Sequence, residues 1–400
     1  MIEQTPAVRL VADGARAVAL RPAVIALGLA GRLGAPVHIG WPNLDQPSLL
    51  LPARATDAVR WVRERFQPEA RRPPGLSAAT YVALRAGGAL VGGERGLAVQ
   101  LAEQVLEQPL PGAVAAMWAA SADRGAKANA FVFERGAREP LLVVRMLAEP
   151  DRAHRLEREV EMVAAVRERL GGAPEIAATL PVPALFVGEF SGARLTAEQV
   201  DPLGGLIADD PRERVEEWLA GLQRATGHDE PWTAADTDAL VAHVAKGWPR
   251  LRPTTADAVV ARTTELLRAL EGQSVPRGVR HGDLWRGNVA FDGSAMRIYD
   301  WEWTYLEAPP FFDLWTYDVA EIRHANLHGR GRPRSLADAL AGVAAQLRDR
   351  GLDERFALAT LPPSAAELTF RSRWEDGPES GSEEGSIPLF EDIEKALGVG

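Results

Sequence analysis

The most informative part of this 400-residue sequence reads Arg280-His281-Gly282-Asp283-Leu284-Trp285-Arg286-Gly287-Asn288 and then Ile298-Tyr299-Asp300-Trp301-Glu302. An aspartate stands five residues before an asparagine, and a second aspartate follows twelve residues later. If Asp283 and Asn288 share one tight loop, this spacing lets the loop turn back on itself. Both side chains can then point to the same place. The spacing therefore predicts one compact site built from three polar side chains.

A hairpin is expected between the asparagine and the second aspartate. The stretch Phe291 to Tyr299 reads as strand, turn and strand, with Asp292-Gly293 as the turn signal. The returning strand would deliver Asp300 beside Asn288. An aspartate and an asparagine five residues apart are common in turns, so the prediction depends on the whole combination. That combination includes the preceding His281, which we expect to hold the loop by hydrogen bonds rather than act as a base.

These groups suit the transfer of a phosphoryl group from ATP. Asp283 is the predicted catalytic residue, because a carboxylate beside a hydroxyl can orient it and take its proton late in the reaction. Asn288 and Asp300 are the predicted metal ligands, because Mg²⁺ prefers oxygen ligands and neutralises the phosphates. The pattern therefore indicates ATP and Mg²⁺ as cofactors.

The pattern His-Gly-Asp-x-x-x-x-Asn followed by Asp-Trp-Glu resembles the aminoglycoside phosphotransferase and choline kinase-like family. The resemblance covers roughly residues 113–320 and is strongest over 280–302. It implies an α+β, bilobal protein-kinase-like fold with a small β-rich lobe and a large helical lobe, preceded here by an N-terminal α/β extension. It also implies a kinase that phosphorylates an alcohol group of a sugar, aminoglycoside or amino-alcohol type acceptor. The sequence does not choose among these acceptors.

The resemblance also assigns nucleotide-binding residues. Small lobes of this fold carry a lysine on the third strand, paired with a helix glutamate, that contacts the phosphates. Here Arg145 takes the lysine position, and Glu159 best fits the glutamate. Arginine is not equivalent to lysine at a tight phosphate site, because the guanidinium is longer, planar and forked. The other predicted nucleotide contacts come from the loop 121–127 and from the segment 181–190, which resembles the strand and hinge linking the lobes: Ser121, Gly125, Lys127, Glu189 and Phe190.

Two alternatives stay open at the nucleotide site. If Arg145 faces outward, the phosphates are held by Lys127 or by loop amides alone. The chain could then be a pseudokinase, a catalytically weak or inactive module for nucleotide binding or interaction, which the glycine-poor loop 121–127 also favours. The intact Asp283, Asn288 and Asp300 favour an enzyme, because a module released from catalysis has no chemical need for all three.

The chain is unusually aromatic after the second aspartate. Glu302 and Trp303 are predicted to contact the substrate, since rings beside carboxylates can bind a cation or stack on a sugar. Core packing around Phe312-Asp313-Leu314 is the plainer explanation of the same rings. Within that segment, Asp313 resembles the aspartate that braces the catalytic loop.

Composition sets limits on the function. The hydrophobic fraction of 46% is ample for a core, and the lack of cysteine excludes disulfides and thiolate metal sites. A formal charge of −10 argues against nucleic acid as a partner. The start at Met1 lacks a basic signal-peptide region, and the apolar stretch 17–35 is interrupted by arginine and proline. We therefore expect a cytoplasmic monomer or homodimer whose partner is a small hydroxylated acceptor, without nucleic acid or membrane.

Four segments are predicted along the chain: an N-terminal α/β extension of unassigned role (1–110), a small lobe with the hinge (111–190), a large lobe with the catalytic loop (191–374), and a flexible acidic tail with a short terminal helix (375–400). Strand patterns recur over 113–119, 128–134 and 140–146, and a helix is predicted over 151–170. Three further helices are predicted over 212–226, 233–248 and 255–270.

Overall fold

The computed structural model describes residues 12–19, 37–41, 49–52, 57–58, 60–62, 89–119, 127–147, 152, 154–204, 212–309, 312–328, 335–376 and 386–399. Two predictions lie outside these residues. They are the loop positions Ser121 and Gly125, and the acidic part of the tail before residue 386.

The chain divides into two compact units. The sheet unit comprises residues 1–161 and 181–206, and the helical unit comprises residues 162–180 and 207–400. The predicted α+β class is confirmed, since strands dominate the first unit and helices the second. The domain limits at residues 110, 190 and 374 stay predictions.

The described residues of the sheet unit form one antiparallel sheet of nine strands. In space the strands follow the order β1-β4-β2-β3-β5-β6-β7-β9-β8. Strands from the N-terminal extension join the later ones directly, because β3 pairs with β5 through Leu50 and Met117. The strands are β1 (Ala12–Ala19), β2 (Val37–Trp41), β3 (Leu49–Pro52), β4 (Ala89–Arg95), β5 (Val114–Ala119), β6 (Lys127–Phe133), β7 (Leu142–Leu147), β8 (Ala184–Phe190) and β9 (Ala193–Gln199).

The middle strands of the sheet are buried on both faces. Successive side chains of a strand point to opposite faces, and on β6 Val132 joins one apolar cluster while Phe131 and Phe133 join another. The first cluster includes residues of helix α1 (Leu97–Val105). The second includes Trp61, whose ring lies 4.8 Å from that of Phe131. This double burial explains the continuous apolar run 130–133 on β6.

The helical unit carries most of the helices. The helix α2 (His154–Arg169) starts in the sheet unit and ends here. The predicted helix 212–226 is confirmed with the same limits, and the helices predicted at 233–248 and 255–270 are confirmed with small shifts. The remaining helices are α3 (Pro174–Ala177), α4 (Arg212–Thr226), α5 (Ala234–Leu251), α6 (Ala256–Arg268), α7 (Phe312–His328), α8 (Leu336–Asp349), α9 (Arg355–Asp376) and α10 (Ser386–Leu397).

Short strands lie between these helices. Three of them form an antiparallel sheet in the order β10 (His228–Pro231), β11 (Ser274–Arg280) and β14 (Tyr305–Ala308). The hairpin predicted after the asparagine is confirmed as β12 (Val289–Phe291) paired with β13 (Met296–Ile298). Its turn is fixed by Asp292, whose Oδ1 accepts from the backbone N–H of Ser294 at 2.9 Å.

A single large apolar core fills the helical unit. Trp232, Trp248, Trp301 and Trp315 are among its largest fully buried side chains. The short terminal helix predicted within the tail is α10, and it packs its apolar face into this core through Leu389, Phe390 and Ile393. None of the described helices combines the length and apolar character needed to cross a membrane.

Candidate active site

The catalytic loop runs from the end of β11 to a short 3-10 turn at Arg286–Asn288. The Asn288 side-chain nitrogen donates to the Asp283 carbonyl oxygen at 2.9 Å and lies 3.3 Å from Asp283 Oδ2. The five-residue spacing therefore turns the chain back on itself, as the sequence indicates. Because Asn288 uses its nitrogen for these contacts, its oxygen is the atom left to bind a cation.

The start of the loop is held by an aspartate on α7. The carboxylate of Asp313 accepts from the backbone N–H of His281 at 2.6 Å and from that of Gly282 at 2.8 Å. Asp313 is fully buried, and the two N–H groups satisfy it there. The predicted bracing role of Asp313 is confirmed.

His281 links the loop to the strand that carries the second aspartate. Its Nε2 lies 2.8 Å from the Tyr299 carbonyl oxygen, and the backbone N–H of Asp283 donates to its Nδ1 at 3.2 Å. Burial lowers the pKa of His281, so the ring is neutral. In a neutral ring one nitrogen donates and the other accepts, and these two contacts use one of each. The predicted structural role of His281 is confirmed.

Gly282 occupies a backbone position that no other residue fits. Its φ is +82°, and a Cβ atom there would lie 2.2 Å from the Trp303 carbonyl oxygen. Glycine has no Cβ, so it accepts both the left-handed backbone and the close approach. This contact explains the glycine of the His-Gly-Asp sequence.

Asp300 follows β13 and also has a left-handed backbone, with φ +65°. Few non-glycine residues take this conformation, which costs of order 1 kcal/mol or more. The neighbouring Tyr299 N–H donates to the Asn288 carbonyl oxygen at 2.9 Å. The structure therefore brings Asp283, Asn288 and Asp300 to one place, as the spacing and the hairpin predict. Burial raises the pKa of Asp283, and the charge of Asp300 adds to this rise.

The two predicted substrate residues are largely buried. Glu302 and Trp303 lie in a 3-10 turn directly after Asp300, and they expose 9% and 5% of their surface. Their neighbour Trp301 is a core residue, with its ring 4.6 Å from that of His281 and 6.1 Å from that of Trp218. Core packing thus accounts for Trp301, while substrate contact by Glu302 and Trp303 stays a prediction.

Sequence reasoning missed two charged residues at this site. Arg371, on α9, donates to the Asp283 carboxylate and to the Gly282 carbonyl oxygen. One turn earlier, Glu367 accepts from Arg280 at 2.9 Å. The sequence shows only a glutamate and an arginine four residues apart, and this spacing does not indicate which loop the two side chains contact.

The sheet unit contains the two basic residues predicted to contact the phosphates, Arg145 and Lys127. Arg145, on β7, donates to Glu159 Oε1 at 3.1 Å, and Lys127, on β6, lies 2.8 Å from Glu159 Oε2. The predicted Arg145–Glu159 pair is therefore formed, and the Arg145 side chain is only 13% exposed. A second carboxylate was missed: Glu198, on β9, accepts from Arg145 at 2.8 Å. Burial raises the pKa of Glu198, and Arg145 opposes the rise.

The predicted hinge segment lies within the sheet unit. Segment 181–190 does not lead out of the sheet unit, because β9 follows β8 as its antiparallel partner and the unit extends to Leu206. Glu189 and Phe190 lie at the β8–β9 turn, which begins at Ser191 with φ +50°. This tight turn before Gly192 returns the chain to the sheet. A nucleotide contact by Glu189 or Phe190 stays a prediction.

Comparison with known proteins gives matches among solved structures. No protein-family model matches the sequence, and no curated protein matches it. A thermostable mutant of aminoglycoside phosphotransferase APH(4)-Ia is 15% identical, with a TM-score of 0.43 over 75% of this chain and 96% of that one. A choline/ethanolamine kinase family protein from Mesorhizobium loti is 16% identical, with a TM-score of 0.41 over 67% and 84%.

A third solved structure is glucosamine kinase in complex with glucosamine, ADP and inorganic phosphate. It is 13% identical, with a TM-score of 0.39 over 74% of this chain and 84% of that one.

Proposed function

We propose that the protein is a phosphotransferase that uses ATP and Mg²⁺ to phosphorylate a hydroxyl group of a small molecule, of sugar, aminoglycoside or amino-alcohol type. The observation that carries this proposal is the catalytic loop. Asp283 and Asn288 contact each other there, His281 and Asp313 hold the loop from both sides, and Asp300 is delivered beside it. This combination of a base and two oxygen ligands matches the needs of phosphoryl transfer.

Asp283 is the proposed catalytic residue. Its carboxylate would accept a hydrogen bond from the acceptor hydroxyl, orient the oxygen toward the γ-phosphate, and take the proton late in the transfer. Burial raises the pKa of Asp283, while Arg371 opposes this rise. A carboxylate with a raised pKa is a better proton acceptor once transfer has begun.

The donor atoms fit Mg²⁺. The Asn288 oxygen and the Asp300 carboxylate are the ligands we propose, and both are the hard oxygen donors that Mg²⁺ prefers. Bound Mg²⁺ would neutralise charge on the phosphates. The Asn288 nitrogen is engaged by Asp283, which favours the orientation in which the amide oxygen is available to the ion.

The proposed phosphate-binding groups of the sheet unit are Lys127 and Arg145. Glu159 holds both cations, with one carboxylate oxygen for each. Arg145 is not in solvent, so one of the two grounds for the pseudokinase alternative loses support. The acidic net charge supports a protein that acts without nucleic acid. We further propose that it is cytoplasmic, works as a monomer or homodimer, and has no membrane partner.

Thermal stabilisation by ligands tests this function. A ligand that binds only the folded state stabilises it by about 2.7 kcal/mol at 100 times its Kd. This stabilisation raises the melting temperature. ATP with Mg²⁺ is tested first, and hygromycin B, choline, glucosamine and a macrolide follow. Transfer of labelled γ-phosphate to each acceptor is then measured. Lack of stabilisation by Mg·ATP would contradict the proposal.

The matched control is Asp283→Asn, which keeps the shape of the side chain. It should bind Mg·ATP nearly as well as the wild type, but its turnover should fall by at least ~10²-fold, because it lacks the proton acceptor. Wild-type turnover in this variant would show that Asp283 is not the base. Stabilisation by Mg·ATP without transfer to any acceptor or to water would favour the pseudokinase alternative.

A further inference from the structure

Helix α9 brings two charged side chains to the catalytic loop. Glu367 and Arg371 are four residues apart, so they lie on the same face of the helix. The Glu367 carboxylate accepts from Arg280 at 2.9 Å and from the Tyr305 hydroxyl at 3.1 Å. Phe370 on the same helix is fully buried. The helix is thus anchored at the loop by contacts that do not involve Arg371.

Arg371 contacts three residues of the active site. Its guanidinium donates to the Asp283 carboxylate and to the Gly282 carbonyl oxygen, and it lies 4.6 Å from the centre of the Trp303 ring. The Arg371 side chain is 9% exposed. A planar guanidinium can bind two oxygens in a fork while its face rests on an aromatic ring. These contacts give Arg371 a fixed orientation.

The two carboxylate oxygens of Asp283 are held from different sides. Arg371 binds Oδ1, and the Asn288 nitrogen lies 3.3 Å from Oδ2. Rotation of the carboxylate would break the Arg371 bond, so the pair restrains the side chain to one rotamer. A buried charge without a partner is costly. Loss of the guanidinium would therefore allow the Asp283 side chain to turn away.

We propose that Arg371 is a positioning residue that holds the Asp283 carboxylate in the orientation needed to receive the acceptor hydroxyl. This inference rests on the proposed function. Helix α9 then contributes to catalysis through a residue 88 positions beyond Asp283. Placement of a catalytic group within about 1 Å can be worth ~10²-fold in rate, and Arg371 supplies that placement for Asp283.

The test compares Arg371→Gln and Arg371→Lys with Arg355→Gln. Arg355 begins the same helix, is exposed and pairs with Asp353, so its variant is the control for helix α9. The readouts are kcat and KM for Mg·ATP, measured both with the best acceptor of the panel and in hydrolysis by water. Arg371→Gln should lower kcat by ~10²-fold with KM for Mg·ATP within about twofold. Arg355→Gln should match the wild type.

Arg371→Lys should recover part of the lost kcat. A lysine ammonium can pair with Asp283 but cannot reproduce the fork to Gly282 and the stacking on Trp303. Added guanidinium ion should also raise the kcat of Arg371→Ala, because it restores the missing group without the helix. If the glutamine and alanine variants do not fold, a lowered kcat with unchanged KM in Arg371→Lys supports the inference, and an unchanged kcat overturns it.

The other outcomes also separate the possibilities. Wild-type kcat in Arg371→Gln would overturn the positioning role. A parallel loss of kcat, Mg·ATP affinity and melting temperature would overturn it as well, since that pattern indicates a structural role. If the wild type binds Mg·ATP but transfers no phosphate, the proposed function fails, and the inference about Arg371 fails with it.

Discussion

Replacing Arg145 by alanine should destabilise the sheet unit and weaken the binding of Mg·ATP. The change removes hydrogen bonds of 3.1 Å to Glu159 and 2.8 Å to Glu198, from a side chain that is only 13% exposed. Breaking a buried ion pair costs about 3–5 kcal/mol, because a charge is left without its partner. Glu159 keeps its contact with Lys127, so we expect the lower end of that range, about 3 kcal/mol.

The cost of this variant should depend on pH. Burial already raises the pKa of Glu198 although Arg145 opposes the rise, so removing Arg145 should raise it further. A carboxyl group with a raised pKa binds its proton more tightly in the folded state. Its contribution to stability is present below the unfolded pKa and is lost as the pH rises through the folded pKa. The deficit of Arg145→Ala should therefore grow from acid to neutral pH.

Denaturant unfolding and calorimetry with Mg·ATP measure these effects. The matched control is Arg194→Ala, because Arg194 also donates to a glutamate of α2, Glu157, at 2.7 Å. That pair is exposed, at 52% and 33%, so its loss should cost roughly 0–1 kcal/mol. Arg145→Lys should retain or improve Mg·ATP affinity relative to Arg145→Ala. Equal stability of Arg145→Ala and Arg194→Ala would refute the energetic reasoning. Normal Mg·ATP affinity in Arg145→Ala would indicate that Lys127 or loop amides bind the phosphates instead.

Other parts of the helical unit give further predictions. Asp300→Ala should abolish Mg²⁺-dependent binding of ATP and Asn288→Ala should weaken it, because both remove a proposed oxygen ligand. Unchanged calorimetric affinity in both variants would show that the ligands are elsewhere. Gly282→Ala should reduce both turnover and stability, because the new Cβ would meet the Trp303 carbonyl oxygen. The left-handed backbone alone should lower the free energy of unfolding by at least about 1–2 kcal/mol. An active variant with a normal melting temperature would contradict this prediction. On α10, the Glu394 carboxylate accepts from the indole N–H of Trp248 at 3.1 Å and from Arg252 at 2.9 Å. Glu394→Gln should destabilise the docked helix α10 by about 2 kcal/mol in denaturant unfolding, because it weakens hydrogen bonds made by a charged group. Burial alone would raise the pKa of Glu394, but the hydrogen bonds that the carboxylate accepts lower its pKa from 4.5. The wild type should therefore lose this stability as the pH falls through the folded pKa, and the variant should show a shallower loss. Equal acid sensitivity of the two proteins would contradict this prediction.

The catalytic loop could be predicted because its information is local. The turn between Asp283 and Asn288 spans five residues, and the hairpin that follows has its own turn signal in Asp292-Gly293. Helix α4 was found with its limits because its apolar residues repeat with the helical period. In each case the spacing of a few neighbouring residues is enough to fix the geometry.

The strand that follows segment 181–190 could not be predicted, for the opposite reason. Strand β9 has mixed polar and apolar residues, and one short turn at Ser191-Gly192 decides whether the chain leaves the sheet or returns to it. The return places Glu198 beside Arg145 and gives the arginine a second carboxylate. No periodic pattern within the strand shows that partner.

The sequence by itself determined the loop, the hairpin and the residue types suited to phosphoryl transfer, because these depend on contacts between near neighbours in the chain. Only the tertiary structure decided that the N-terminal strands join the main sheet and that Arg371 meets Asp283. Those contacts join residues far apart in sequence, and their formation depends on how whole elements pack. The residues around Arg371 on helix α9 do not indicate which loop its side chain contacts. That contact forms only because the packed core brings the helix and the loop together.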